Sequence, residues 1–175
     1  MGGEGTDTRA GTDESLELGR LLAQLSTDEV ERHAPAVETI RERVETEPSM
    51  CLPTVPKLRS LLGESTTAVD QDIAYCLAHL AAEAPNDVAP SVPDVVSFVV
   101  ENPATPARED LLACLTAVGE ERPELVMKHL ERVTLENEAV TLEGGVDGSV
   151  TERVDAESVT VADVHEQVLA TLEQR

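Results

Sequence analysis

Apolar residues recur along the middle of the chain at spacings of three and four, and proline breaks these stripes at a regular interval. Leu16, Leu18, Leu21, Leu22 and Leu25 give a short apolar helix that ends near Ser26. Val30, Ala34, Val37, Ile40 and Val44 then mark one stripe on an otherwise charged helix, the pattern of a helix that buries a single face. Ser26 and Glu29 stand at capping-box spacing, with Thr27 as a competing cap. Pro35 either kinks this helix or splits it into a turn and a longer helix.

The prolines carry an internal repeat. Residues 48–58 read PSMCLPTVPKL and residues 85–95 read PNDVAPSVPDV. Pro48, Pro53, Val55 and Pro56 coincide with Pro85, Pro90, Val92 and Pro93 at one offset of 37. A looser third copy, PELVMKHLERV, starts at Pro123, 38 residues after Pro85, and keeps Val126, Leu130 and Val133 at helical spacing. The stripes before each proline match too: Val37 and Ile40, then Ala74, Leu77 and Leu80, then Leu112, Leu115 and Val118. The approximate helices are 27–47 and 53–62, then 68–84 and 91–100, then 106–120 and 123–133. Two helices at such a period read as a solenoid, in which each pair leaves an apolar face that only its neighbours cover. Pro53 and Pro90 suit the first turn of a second helix, where a missing N–H costs nothing. Pro48, Pro85 and Pro123 are expected to end or follow the first helix of each pair.

The expected fold class is therefore all-α: a short right-handed α-solenoid, an α-α superhelix of about three pairs over 16–133. Residues 1–15 are expected to be a disordered leader. Residues 134–159 contain EAVTLEGGVDGSVTERV, which reads as a small β-hairpin or an acidic linker. A final helix within 160–175 carries Val164, Val168, Leu169 and Leu172, and either caps the open end of the array or docks a partner.

Composition narrows the function classes. Tyr75 and Phe98 are the only aromatic residues, so Leu, Val and Ala must build the core. Such a core suits thin helical layers rather than a pocket that stacks flat ligands or bases. The net charge is −22, from 35 acidic and 13 basic residues, and Lys57 and Lys128 are the only lysines. So much like charge opposes compaction in dilute buffer, and molar salt screens most of it. The composition resembles that of cytoplasmic proteins of salt-accumulating extreme halophiles such as haloarchaea. No Lys or Arg stripe offers phosphate contacts, so no nucleic acid is expected as a partner. No apolar run reaches a membrane span and no secretion signal opens the chain, so a cytoplasmic protein with no membrane partner is expected. Three cysteines cannot form a fully paired framework.

The pairs resemble HEAT repeats, including the phycocyanobilin-lyase type. The typical unit has a Val-Arg or similar pair, then Ala-x-x-Ala-Leu-x-x-Leu, then proline. Ala107, Arg108, Leu112, Leu115, Val118 and Pro123 follow it. Val69, Ala74, Leu77, Leu80 and Pro85 follow it with Asp70 in place of the arginine, and Arg32 stands one residue out of register in the first unit. The loss of arginine at Asp70 argues against the usual inter-repeat polar ladder there. The resemblance covers about two thirds of the chain and implies protein–protein scaffolding most often.

No catalytic, metal or cofactor-binding residue is expected, and no cofactor. Cys76 and Cys114 are 38 residues apart, at equivalent places in successive first helices, and read as small core residues; a redox or metal pair is the other reading, with His79 three residues from Cys76. Solenoids bind along a curved face. The candidate protein-binding residues on the second helices are Lys57, Arg59, Asp94, Ser97, Phe98, Lys128 and Glu131. Phe98 has an aromatic's aptitude for a contact, yet it falls 37 residues after Leu61, in an apolar register that favours the core. The expected role is a scaffold or adaptor that binds another protein. The alternatives are an enzyme or metal or redox sensor on the same array, and a subunit that forms a homo-oligomer through its open ends.

Overall fold

The computed structural model describes residues 8–27, 29–132 and, in the tail, Glu166, Leu169 and Ala170, which are helical. Among them every regular element is helical. Helix α1 spans Thr8–Leu25 and α2 spans Val30–Val44. Then come α3 (Pro48–Cys51), a 3-10 turn (Leu52–Thr54) and α4 (Val55–Leu61). After α5 (Thr67–Glu83) the same series returns as α6 (Pro85–Val88), a 3-10 turn (Ala89–Ser91) and α7 (Val92–Glu101). Helix α8 (Arg108–Glu121) and a helical segment at 123–132 complete the order. The hairpin expected within 138–154 lies outside the described residues, as do the bounds of the final helix.

The proline register acts through backbone geometry. A proline ring crowds the residue before it and drives that residue out of the α region. Glu47, Ala84 and Arg122 each precede a proline and adopt nearly one conformation: φ −139°, ψ 60°; φ −140°, ψ 72°; and φ −133°, ψ 60°. Each amide still donates to a carbonyl of the helix behind it, at Arg43 (2.7 Å), Leu80 (2.8 Å) and Val118 (2.8 Å). Pro48 and Pro85 then take the first position of a new helical turn, where the absent N–H has no partner to lose. These prolines thus start the next helical turn, one residue after the chain has left the first helix.

Two other local expectations change. Helix α1 begins at Thr8 rather than near Leu16. The capping box at Ser26 does not form: the residue preceding α2 is Glu29, with no side-chain cap. Ser26 Oγ donates instead to the Leu22 carbonyl (2.7 Å), and Thr27 Oγ1 to that of Gln24 (2.9 Å). Both hydroxyls satisfy carbonyls freed at the end of α1. Pro35 neither ends nor splits α2, which is assigned without a break.

Helix α5 packs against α2 on one side and α8 on the other, and α4 lies beside α7. Ile40, Leu58, Ile73, Leu77, Leu80, Leu111, Leu115 and Leu130 are fully buried in one apolar cluster. Polar links cross between units: Arg41 Nη1 donates to Asp72 Oδ1 (2.5 Å), Tyr75 Oη to Glu45 Oε1 (2.8 Å), and Arg122 Nε to Asn86 Oδ1 (3.0 Å). The Arg41 guanidinium also lies 4.6 Å from the Tyr75 ring centre. A ladder between units therefore exists at α2–α5, carried by Arg41 and Tyr75 rather than by an arginine at position 70.

Asp70 has a different task. It is buried, and its Oδ1 accepts from the Gly63 amide at 3.0 Å, which ties the end of α4 to the start of α5. Gly63 has φ +85°, where glycine is favoured, and a Cβ there would sit 3.2 Å from Phe98 Cδ2. We expect Gly63→Ala to lower the unfolding free energy by about 1–2 kcal/mol from backbone strain alone. Urea denaturation in molar salt, which leaves ionic strength fixed, measures this.

Candidate functional site

The short helix α4 and the longer α7 run side by side, and their C-terminal halves, with the link to α5, enclose an open groove of about 790 Å³. Four of the seven sequence candidates, Arg59, Asp94, Ser97 and Phe98, line it. Arg59 reaches from α4 to α7: Nη1 donates to the Pro90 carbonyl at 2.5 Å, and Nε lies 3.8 Å from Asp94 Oδ2. One wall is thus braced by a cation whose donors already meet the neighbouring unit. Ser97 is exposed at the rim. Phe98 is 8% exposed and packs on the Gly63 turn, so its ring serves the core while its edge reaches the groove. Val96 is buried and Val100 half-buried.

The remaining candidates lie elsewhere. Lys128 lines a second depression, with Glu121, Arg122, Pro123, Glu124 and Leu125. Lys57, half-buried, and Glu131, exposed, line neither hollow. The groove also contains residues outside that set of candidates: Gly63, Glu64, Ser65, Asp70, Glu101 and Asn102. Gly63 had a signal, since a glycine directly after the last apolar residue of a stripe marks a helix end. The acids had none, because the fold brings 64, 70, 94 and 101 together from three segments.

The lining is acidic. Glu64, Asp70, Asp94 and Glu101 face a single cation, Arg59. Burial raises the Asp70 pKa above the usual carboxylate value, and the Gly63 N–H partly opposes this by favouring the charged form. A folded pKa above the unfolded one means that the native state binds this proton more tightly. The resulting stabilisation is complete below the unfolded pKa and is lost as pH rises through the folded value. Asp70→Asn keeps a carbonyl to accept from Gly63 and removes the buried charge. It should therefore match or exceed the wild-type urea midpoint at neutral pH, with the difference closing in acid. Asp70→Ala, which strands the amide, should be less stable at both.

The three cysteines are buried and free. Burial raises all three thiol pKa values, to about 12 for Cys76 and Cys114, so almost no thiolate forms near neutrality. His79 does not join Cys76: its Nδ1 lies 3.0 Å from the Tyr75 carbonyl and its ring packs on Tyr75 at 4.1 Å. Among the described residues no cluster of His, Cys, Asp and Glu has a metal-binding arrangement, and no helix is long and apolar enough to cross a membrane. No family model, curated protein or solved structure matches the chain.

Proposed function

We propose that this chain is a small α-solenoid adaptor: about three HEAT-like helix pairs in a right-handed superhelix that bind another protein in a high-salt cytoplasm. The groove between α4 and α7 carries the reading. It gathers an exposed hydroxyl, an aromatic edge and several carboxylates on the face where second helices lie adjacent. Four acids against one engaged arginine favour a partner segment that presents Arg or Lys, paired through charge-assisted hydrogen bonds. The repeated pre-proline geometry and the position of α5 between α2 and α8 support the solenoid part. The acid excess along the whole sequence supports the high-salt part.

Parallel affinity purifications in molar KCl with wild type and Ser97→Arg test this. Ser97 is exposed, so the variant should fold with unchanged helicity. One stoichiometric partner held by the wild type and lost by the variant is the expected result. A protein retained equally by both would place binding elsewhere. Self-association alone would favour the subunit reading.

A further inference from the structure

Asp70 stands apart from the other acids of the groove. Glu64, Asp94 and Glu101 are exposed, whereas Asp70 is buried to 7% exposure. Its Oδ1 accepts from the Gly63 amide at 3.0 Å. Its Oδ2 has no hydrogen-bond or ion-pair partner among the described residues, and it is not enclosed. That oxygen is therefore the atom Asp70 presents to the groove it lines. Ser65 adds a second unsatisfied atom to the same lining, since its Oγ is enclosed and has no partner. Buried polar groups are ordinarily hydrogen-bonded, so a free carboxylate oxygen and an idle hydroxyl in one groove mark a place for a donor. Arg59 does not supply it, because its donors go to the Pro90 carbonyl and towards Asp94.

Molar salt decides which of these acids can read a cation. With a Debye length of about 3 Å, attraction to the exposed carboxylates is largely screened, while a desolvated pair is screened much less. Asp70 has already given up much of its hydration on folding, and its raised pKa reflects that cost. A cation that reaches it has mainly its own hydration shell to shed.

The acceptor set selects the kind of cation. A guanidinium fork pairs best with two carboxylate oxygens side by side, and Gly63 already holds one of them. An ammonium is a compact charge whose three donors turn to meet acceptors that share no plane. The way in is partly apolar, through Leu62 and the edge of Phe98, which suits an unbranched methylene stem.

We propose that the groove seats a lysine side chain of the partner protein, its ammonium paired with Asp70 Oδ2 and its stem lying along Leu62 and Phe98. The inference rests on the groove being the binding site and adds which group that site reads.

The chlorides of n-butylammonium and n-propylguanidinium, the bare ends of lysine and arginine side chains, test it on the full chain in molar KCl at neutral pH. The Gly63 amide signal is the reporter, because that amide donates to the same carboxylate. Butylammonium should shift it saturably, with a dissociation constant at least fivefold below that of propylguanidinium. Asp70→Asn keeps an acceptor for Gly63 and should abolish the saturable shift. Glu83→Gln, which removes an exposed charge outside the groove, should change the constant less than twofold. Propylguanidinium binding as tightly as butylammonium overturns the proposal, as does a shift that survives Asp70→Asn or the lack of any saturable shift in the wild type. Affinity purification separates the seat from the groove: a partner lost by Ser97→Arg and kept by Asp70→Asn overturns the lysine seat and leaves the groove as the binding site.

Discussion

Leu77→Ala is expected to lower the unfolding free energy by about 2–5 kcal/mol, a large share of the roughly 5–15 kcal/mol that holds an ordinary domain together. Leu77 is fully buried in α5, the helix that packs against both α2 and α8. Its truncation removes apolar contacts and leaves a cavity that a close-packed core fills only in part. The same truncation at Leu16, which is 59% exposed, should change stability by less than about 0.5 kcal/mol. Urea midpoints of the two variants, followed by circular dichroism in molar salt, make the comparison. Equal midpoints would show that the α5 interface does not carry the stability of the helical domain.

Transfer from molar to millimolar salt should have a comparable or larger effect. The chain carries a net charge of −22, and its middle unit has acids and no Lys or Arg. Several of the cations are already committed: Arg32 to Glu29, Arg41 to Asp72, Arg43 to Glu17 and Arg59 to Asp94. These pairs are partly exposed and contribute little each, so they do not offset the remaining repulsion. The Debye length grows from about 3 Å at 1 M to about 30 Å at 0.01 M, which switches on repulsion across the whole surface. Helicity should fall cooperatively on dilution and return on adding KCl. An uncharged osmolyte should restore less of it than salt. A melting temperature that is the same at 0.01 M and 1 M would remove the high-salt part of the proposal.

Some of this structure was written plainly in the sequence and some was not. Proline both fixes its own φ and excludes the preceding residue from the helix, so Pro48, Pro85 and Pro123 stamped one backbone shape onto Glu47, Ala84 and Arg122. Apolar spacing placed Ile40, Leu77 and Leu115 in the core for the same kind of reason, a fixed geometry per residue. Hydroxyl side chains are harder to read, because Ser26 could serve the helix behind it or the one ahead, and it serves the one behind. The start of α1 at Thr8 was hidden because its first turns carry few apolar residues.

The groove was legible only in part. Arg59, Asp94, Ser97 and Phe98 were candidates because second helices were expected to line one binding face, and all four line the groove. Arg59 bonding to a backbone carbonyl could not be foreseen, since any residue has that carbonyl and only packing puts Pro90 within reach. The Gly63–Asp70 bond crosses a link between helices and follows no fixed spacing rule. Lys57 and Glu131 had suitable chemistry, yet neither lines the groove or the second depression.

The most direct test of the interaction reading is site-specific photo-crosslinking in molar salt. A photoreactive side chain in place of Ser97 should capture one discrete heterologous protein, and the same group in place of Glu109, exposed on α8, should not. Equal capture from both positions, or capture from position 97 of nothing but a second copy of the chain, would contradict it.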